Sequence, residues 1–347
     1  MINVSIIGAN GYTGLELLKI LSLHKYVNVK KIVSKSNAGT KISDMYPHLE
    51  TLKGRTFDGL AIKEIAKSDV VFTALPHGVS AGICSDLIKL NDSLKIIDLS
   101  ADFRYNDVSV YQKVYGYAHP DEKLLKTSVY GLPEIYFEKI KSAKLVANPG
   151  CYTTCSILPL YPLTKEKLIN PDTIIIDAKS GVSGAGKKAE TAYGFCEINE
   201  NFSAYAVTTH RHTSEIEQEI SLAAGKNIRL CFTPHLLPVQ RGILSTIYCD
   251  LNKNACAEEI DSIYKKYYKD KPFIYVNDIG QMPQLKEVKN TNNLKIGYQI
   301  DYRLNKLIVV SVLDNLIKGA SGQAVQNMNI MFGLNQDEGL NLISNYI

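Results

Sequence analysis

Short apolar runs alternate with polar, helix-spaced stretches over the first half of the chain. "NVSIIGA" reads as a strand and "LELLKILSLH" as an amphipathic helix; "VNVKKIVS", "DVVFTAL", "LKIIDLS" and "KLVANPG" read as further strands. This alternation predicts a parallel sheet with helices on both faces. After about residue 150 the texture changes. "TIIIDAKSGVSGAG", "RLCFTPHLLPV", "GILSTIYCDL" and "FIYVND" are strand-like and closer together, "ACAEEIDSIYKKYYKD" is helical, and "QIDYRLNKLIVVSVLDNL" reads as a hairpin around "LN". This half predicts an α+β domain with a largely antiparallel sheet. "GASGQAVQNMNIMFGL" is punctuated by glycine and then helical, and periodicity alone does not assign it to either half.

Bulk properties narrow the class. A chain of 347 residues with 45% hydrophobic content can bury two cores. The net charge of +4 is spread through mixed signs with no Lys/Arg run, which argues against a nucleic-acid partner. Seven cysteines without regular spacing do not form a disulfide framework, so a reducing cytoplasm is the expectation. No signal peptide precedes the first strand and no apolar run is long enough for a membrane span.

Between the first strand and the first helix stand Gly8, Gly11 and Gly14, with Tyr12 and Thr13 among them. Glycines at this spacing let the backbone turn sharply and approach a pyrophosphate, and the helix start supplies N–H groups to its charge. The strand–loop–helix setting predicts a Rossmann nucleotide-binding domain. An NAD-preferring fold places an acid at the end of the second strand; here "VNVKKIVSKSNAG" has none, and Ser34, Lys35 and Ser36 suit a 2′-phosphate. NADP is therefore the expected cofactor.

Cys151 follows the breaker Pro149-Gly150 and opens an apolar, helix-like run. A first-turn position would stabilise its thiolate, although composition alone also fits a buried small residue. In "TTHRHTSEIEQEI", Ser214 and Glu217 have capping-box spacing, which would put His212 just ahead of a helix, with Glu215 or Glu217 near enough to orient it. His210 and His212 have no third ligand in the pattern, so no metal site is assigned. Arg104, in "DLSADFRY", suits a phosphate or carboxylate, or a surface pair with Asp102 or Asp107.

Together these stretches resemble the N-acetyl-γ-glutamyl-phosphate reductase family, type 1. The resemblance rests on "GANGYTG", "ALPHG", "DLSADFR", "YGLPE", "NPGCYTT", "SGVSGAG", "HRHTSEIEQ" and "DNLIKGASGQAVQNMN", from residue 8 to residue 329. The family commonly has Pro where Ser214 stands. The resemblance implies a semialdehyde dehydrogenase-like fold, with a nucleotide domain of residues 1–149 joined by 315–347 and a catalytic and dimerisation domain of 150–314. It implies Cys151 as nucleophile and His212 as general acid/base, and Glu217 is assigned beside them, with Glu215 as its alternative. It places Leu75, Pro76, His77, Ser180, Gly181, Ser183, Gly184, Asn315 and Gln323 at the cofactor, with the glycine loop, Ser34 and Ser36. It places Arg104, Asn148 and His210 at the substrate. The implied reaction is NADPH-dependent reduction of an acyl phosphate to a semialdehyde through a Cys151 thioester, in a cytoplasmic homodimer or homotetramer. The alternatives are a sibling acting on an acylated aminoadipyl phosphate, one methylene longer, and a non-catalytic NADP-sensing regulator, which retention of both Cys151 and His212 disfavours.

Overall fold

The apolar runs of the first half become strands that are buried on both faces. The computed structural model describes residues 1–187 and 189–345. It divides into two units, residues 1–149 with 320–341, and residues 150–319 with a short stretch from Leu342 on. The return to the first unit therefore begins at Ala320, not at residue 315.

In the first unit, β1 (Ile2–Ile7), β2 (Val27–Val33), β3 (Val70–Thr73), β4 (Lys95–Asp98), β5 (Val129–Tyr130) and β6 (Leu145–Ala147) form a sheet of order β2-β1-β3-β4-β6-β5. All neighbours in it are parallel. The chain leaves β1 for β2 on one side and returns to β3 on the other, so the crevice at the carboxyl ends of β1 and β3 is the switch point where such folds bind nucleotides. The helix Gly322–Met331 is buried along its whole length, and packs with Tyr12–Leu21 and Pro133–Ser142. This is the location that periodicity left unassigned.

In the second unit, β7 (Ile169–Gly181), β8 (Ser203–Ala204), β9 (Cys231–Leu237), β10 (Ile243–Leu251), β11 (Ile274–Val276), β12 (Leu294–Asp301) and β13 (Lys306–Leu313) are ordered β11-β12-β13-β10-β7-β9-β8. The long neighbours β12, β13, β10 and β7 run antiparallel, while β11 joins β12 and β9 joins β7 in parallel. The expected hairpin is β12–β13. The sheet is thus mixed, with an antiparallel centre. The helix Cys151–Lys165 packs on β7, β10 and β13.

That helix contains Pro159 and Pro162. Each lacks the N–H that would bond the carbonyl four residues back, leaving the oxygens of Cys155 and Leu158 without that donor in a dry core. Other elements supply the donors. Ser311 Oγ on β13 donates to Cys155 O at 2.6 Å, and the Tyr268 hydroxyl, at the end of helix Ala257–Tyr268, donates to Leu158 O. Ser311→Ala and Tyr268→Phe should each lower stability by about 1–3 kcal/mol, the cost of an abandoned buried acceptor. Urea unfolding checks this, and no shift in midpoint in either variant would refute the account.

Candidate active site

Cys151 is the first residue of its helix and is partly exposed. The N-cap is Gly150, with no side-chain cap and no acid in the first turn. The positive end of the helix therefore faces the thiol with no carboxylate of its own first turn to offset it. Gly150 carries no Cβ because His212 occupies that space: a Cβ there would come within 2.6 Å of His212 Cε1 and 2.9 Å of Cδ2. The imidazole thus lies against the residue that precedes the thiol.

His212 opens the helix His212–Ala224 instead of preceding it, and Arg211 is the N-cap. The capping box does not form. Ser214 lies inside the first turn, and its hydroxyl donates to Arg211 O at 3.1 Å. Helix geometry then separates the two glutamates, since positions three apart share a face and positions five apart do not. Glu215 follows His212 by three residues and is buried. Its Oε1 accepts the Gly150 N–H at 3.1 Å and the Thr153 hydroxyl at 3.0 Å. Glu217 points elsewhere, to Arg229 at 2.6 Å and to the Leu230 N–H at 3.2 Å. The carboxylate at the cysteine turn is Glu215, not Glu217.

His210 supports His212. Its Nδ1 accepts the His212 backbone N–H at 3.1 Å, which leaves any ring proton of the neutral form on Nε2. The ring packs edge-on against Tyr152, Tyr205 and Phe232, with centroids 5.4–5.7 Å away. Burial, reinforced by Arg211, lowers its pKa to about 4. Tyr205, which the sequence did not single out, donates its hydroxyl to that of Tyr152 at 3.1 Å. Burial pushes the Tyr205 phenol up to about 12 and that of Tyr152 higher still, so both stay neutral. Cys155 is fully buried against Ser311, and burial raises its thiol to about 11, so it is no second nucleophile.

Asn315 and the "SGVSG" stretch belong to the same unit. Asn315 Oδ1 accepts the Gly242 N–H at 2.7 Å and its Nδ2 donates to Ser183 Oγ at 3.0 Å. Ser180 is buried with its hydroxyl on Gly181 O, and Gly184 is exposed. Asn315 therefore holds the loop's shape.

The first unit carries the remaining predicted residues. Gly8, at φ 87°, ends β1; a Cβ there would come within 2.8 Å of the Ala74 carbonyl carbon, and one on Gly14 within 2.6 Å of Ala9 Cα. Gly11 caps the helix Tyr12–Leu21 with no side-chain bond and no acid in the first turn. This cradle of close backbone and open amides fits a dinucleotide pyrophosphate. Ser34 faces inward, where its hydroxyl accepts from Asn37 Nδ2 at 3.2 Å; Lys35 and Ser36 are exposed. Leu75 is partly exposed, Pro76 and His77 are exposed, and the His77 ring lies 5.2 Å from that of Tyr115. Gln323 is buried in the helix Gly322–Met331. Asn148 is fully buried: Nδ2 donates to Ala320 O at 3.1 Å and Oδ1 accepts from Asn327 at 3.1 Å. Those bonds tie the end of β6 to the returning chain. Arg104 is buried instead of lying on the surface, and donates to Leu99 O at 3.2 Å; Asp102 binds the N–H groups of Gly78 and Ala81, and Asp107 caps Ser109. Among the described residues no cluster suits a metal ion.

Two domain families cover nearly all of this chain. Residues 3–143 match the semialdehyde dehydrogenase NAD binding domain, and residues 151–315 match the semialdehyde dehydrogenase dimerisation domain. The fold agrees: aspartate semialdehyde dehydrogenase II of Vibrio cholerae, solved with ASA, superposes with a TM-score of 0.73 at 18% identity, covering 96% of this chain and 98% of that one. The Candida albicans enzyme, solved with NADP, gives 0.64 at 17% identity, covering 96% and 98%. The class is thus that of the semialdehyde dehydrogenases. Relatives named N-acetyl-gamma-glutamyl-phosphate reductase are 51% identical in Caldicellulosiruptor saccharolyticus over 100% of both chains, 50% in Acetivibrio thermocellus over 98% of both, and 48% in Campylobacter jejuni over 99% of both. The chain belongs to the N-acetyl-γ-glutamyl-phosphate reductase family.

The geometry around Gly150 predicts a kinetic phenotype. Gly150→Ala should displace the His212 ring and lower kcat toward the level of His212→Asn, within the roughly 10²–10⁴-fold range of general acid–base loss. His210 has a folded pKa of about 4 against the ordinary 6.5, so it is neutral above pH 6 and shapes no limb of the rate profile there. Because the unfolded chain binds that proton first, stability should fall as pH drops from 6.5 toward 4. Between pH 6 and 8, His210→Asn should keep the pH dependence of kcat/KM and His212→Asn should lose it. The reverse pattern would exchange the two roles.

Proposed function

We propose that this enzyme reduces N-acetyl-L-glutamyl 5-phosphate to N-acetyl-L-glutamate 5-semialdehyde and phosphate in arginine biosynthesis, with NADPH as reductant and Cys151 as nucleophile. The observation that carries the reading is the seating of Cys151 at an uncapped helix start, with the His212 imidazole against the preceding glycine.

The Cys151 thiolate, its proton passed to His212, attacks the acyl carbonyl carbon. The carbonyl oxygen takes the electron pair and is met by first-turn amides, the Cys151 N–H foremost. Collapse of that adduct re-forms the carbonyl, breaks the bond to the phosphate oxygen and leaves a thioester on Cys151. The Gly8–Gly14 cradle would hold the nicotinamide cofactor, which when bound would supply hydride chemistry to bring the thioester to the aldehyde level. His212 protonates the oxygen at that stage, then removes the same proton as the carbon–sulfur bond breaks and frees the semialdehyde and the thiolate. Glu215 holds the Gly150 N–H, and with it the turn on which the thiol stands.

Preference for NADPH rests on the end of β2. No acid stands there to bind a 2′-hydroxyl, while Lys35 and Ser36 are exposed. Asp58, bridged to Val33, has its carboxylate taken by the Ile32 N–H at 2.8 Å and by Lys31 at 2.9 Å. The solution of the Candida albicans neighbour with NADP accords with this. Oligomer formation through the dimerisation domain fits the sheet of the second unit, where Ile175 on β7 is 47% exposed between the buried Ile174 and Ile176. No helix among the described residues is long and apolar enough to cross a membrane, and a cytoplasmic setting suits the free cysteines.

Cys151→Ser should abolish turnover while NADPH binding, read by fluorescence titration, and the melting temperature stay near those of the unaltered enzyme. Retained turnover would overturn the covalent route. For the cofactor, kcat/KM should be higher with NADPH than with NADH, and Ser36→Asp should narrow or invert the ratio by repelling the 2′-phosphate. Equal values in the unaltered enzyme would count against the preference.

A further inference from the structure

Cys151 is crowded from a second side by a glycine outside its own motif. The chain from Asp314 to Ser321 ends in a π-type turn, Ile317–Ser321, in which the Gly319 N–H donates to Asp314 O, five residues back, at 2.9 Å. A Cβ on Gly319 would lie 2.7 Å from Cys151 Cβ and 3.1 Å from Cys151 Cα. The first is closer than carbon atoms tolerate and the second is tighter than ordinary contact, and neither can swing aside, since one is backbone and the other is one bond from it. The turn cannot easily retreat. Fully buried Asp314 binds the N–H groups of Leu316 at 2.8 Å, Ile317 at 3.1 Å and Asn290 at 2.7 Å, and pairs two-pronged with Arg241 at 3.1 and 3.2 Å. Lys318, also fully buried, lays its ammonium 5.6 Å from the Phe273 ring centroid. The turn is therefore a fixed wall, and the absence of a side chain at 319 lets it touch the Cα–Cβ bond of the thiol-bearing residue.

We propose that Gly319 is a positioning residue for the acyl-transfer step: the turn anchored by Asp314 backs Cys151 through Gly319 and fixes the thiol at the open helix start. The inference rests on Cys151 being the nucleophile. It differs from a packing role in what it predicts for the thiol itself. A wall that merely filled space would affect stability; a wall that sets the thiol's place affects how far the helix amides stabilise its thiolate and how it meets the acyl carbon. Misplacement by about 1 Å is enough to cost up to ~10²-fold in rate.

The test measures alkylation of Cys151 by iodoacetamide as a function of pH in the full-length enzyme, with the site read by peptide mass spectrometry, beside kcat, KM and thermal melts. Gly319→Ala should lower kcat by about 10–100-fold with a smaller change in KM. The pH of half-maximal alkylation should rise, because the thiolate leaves the helix end. Arg241→Lys keeps the charge opposite Asp314 but loses the two-pronged grip, and should move both readouts the same way by less; it decides the matter if Gly319→Ala does not fold. Gly59→Ala, at a glycine with open space around it, should change neither readout. The proposal falls if folded Gly319→Ala, or in its absence Arg241→Lys, matches Gly59→Ala in kcat and alkylation profile while Cys151→Ser is inactive. Turnover surviving in Cys151→Ser would instead bring down the nucleophile assignment beneath it.

Discussion

The start of the helix Cys151–Lys165 has to stay open while the rest of that helix is held rigid, and much of the second unit serves that demand. In the proposed mechanism the Cys151 thiol ionises and attacks, and it is helped by the positive helix end and by the lack of a competing side-chain cap. The helix behind it is twice interrupted by proline, which by itself would soften it. Rigidity is restored from outside. Glu215 takes the Gly150 N–H, Ser311 and Tyr268 supply the donors that proline removes, and the turn at Gly319 abuts Cys151. The position of Cys151 is thus specified by residues spread over the whole of that unit.

The histidine pair divides two jobs that one ring could not do together. His212 lies against the cysteine turn, where the proposed mechanism has a proton come and go. His210 accepts the His212 backbone N–H on its Nδ1 and sits in an aromatic surround that keeps it neutral above pH 6. A neighbour that titrated near neutrality would add a charge beside His212 at some pH values and not at others. Burial among Tyr152, Tyr205 and Phe232 removes that variable.

Sequence patterning made the parallel first sheet, the β12–β13 hairpin and the glycine cradle legible because each is local: period, turn residues and helix entry are all written within a few residues. It also brought Cys151 and His212 forward, because their flanking motifs are distinctive. What it missed depends on facing and burial. Ser214 and Glu217 have capping-box spacing, yet the helix begins three residues earlier than that box implies, and that shift turns Glu217 to Arg229 and Glu215 to the cysteine turn. The spacing of three from His212 was a usable signal for Glu215, since positions three apart share a helix face. Ser34 and Ser36 are alike on paper, and only the fold shows that the first bonds inward to Asn37. Asn148 and Asn315 have motif positions that suggest ligands, but much of their hydrogen-bonding capacity is spent on the protein's own backbone and loops. No local pattern connects Gly319 with Cys151, which are far apart in the chain.

The two helix starts to which the proposed chemistry is assigned share a feature. Gly11 and Gly150 are the N-caps of the cofactor-side and cysteine helices, and neither first turn holds a side-chain cap or an acid. By contrast, Asp107 and Asp121 cap the helices Val108–Tyr115 and Glu122–Thr127 through the N–H groups of Ser109 and Leu124. Giving up an Asp or Ser cap for glycine costs only a few tenths of a kcal/mol. A carboxylate at either place would occupy the amides and repel the anion each site is built for, a pyrophosphate in one unit and a thiolate or oxyanion in the other. At the cysteine helix the carboxylate of Glu215 binds the N–H of the cap residue itself and the Thr153 hydroxyl. Glu215 therefore lends rigidity at the cap residue from outside the helix, without standing in its first turn.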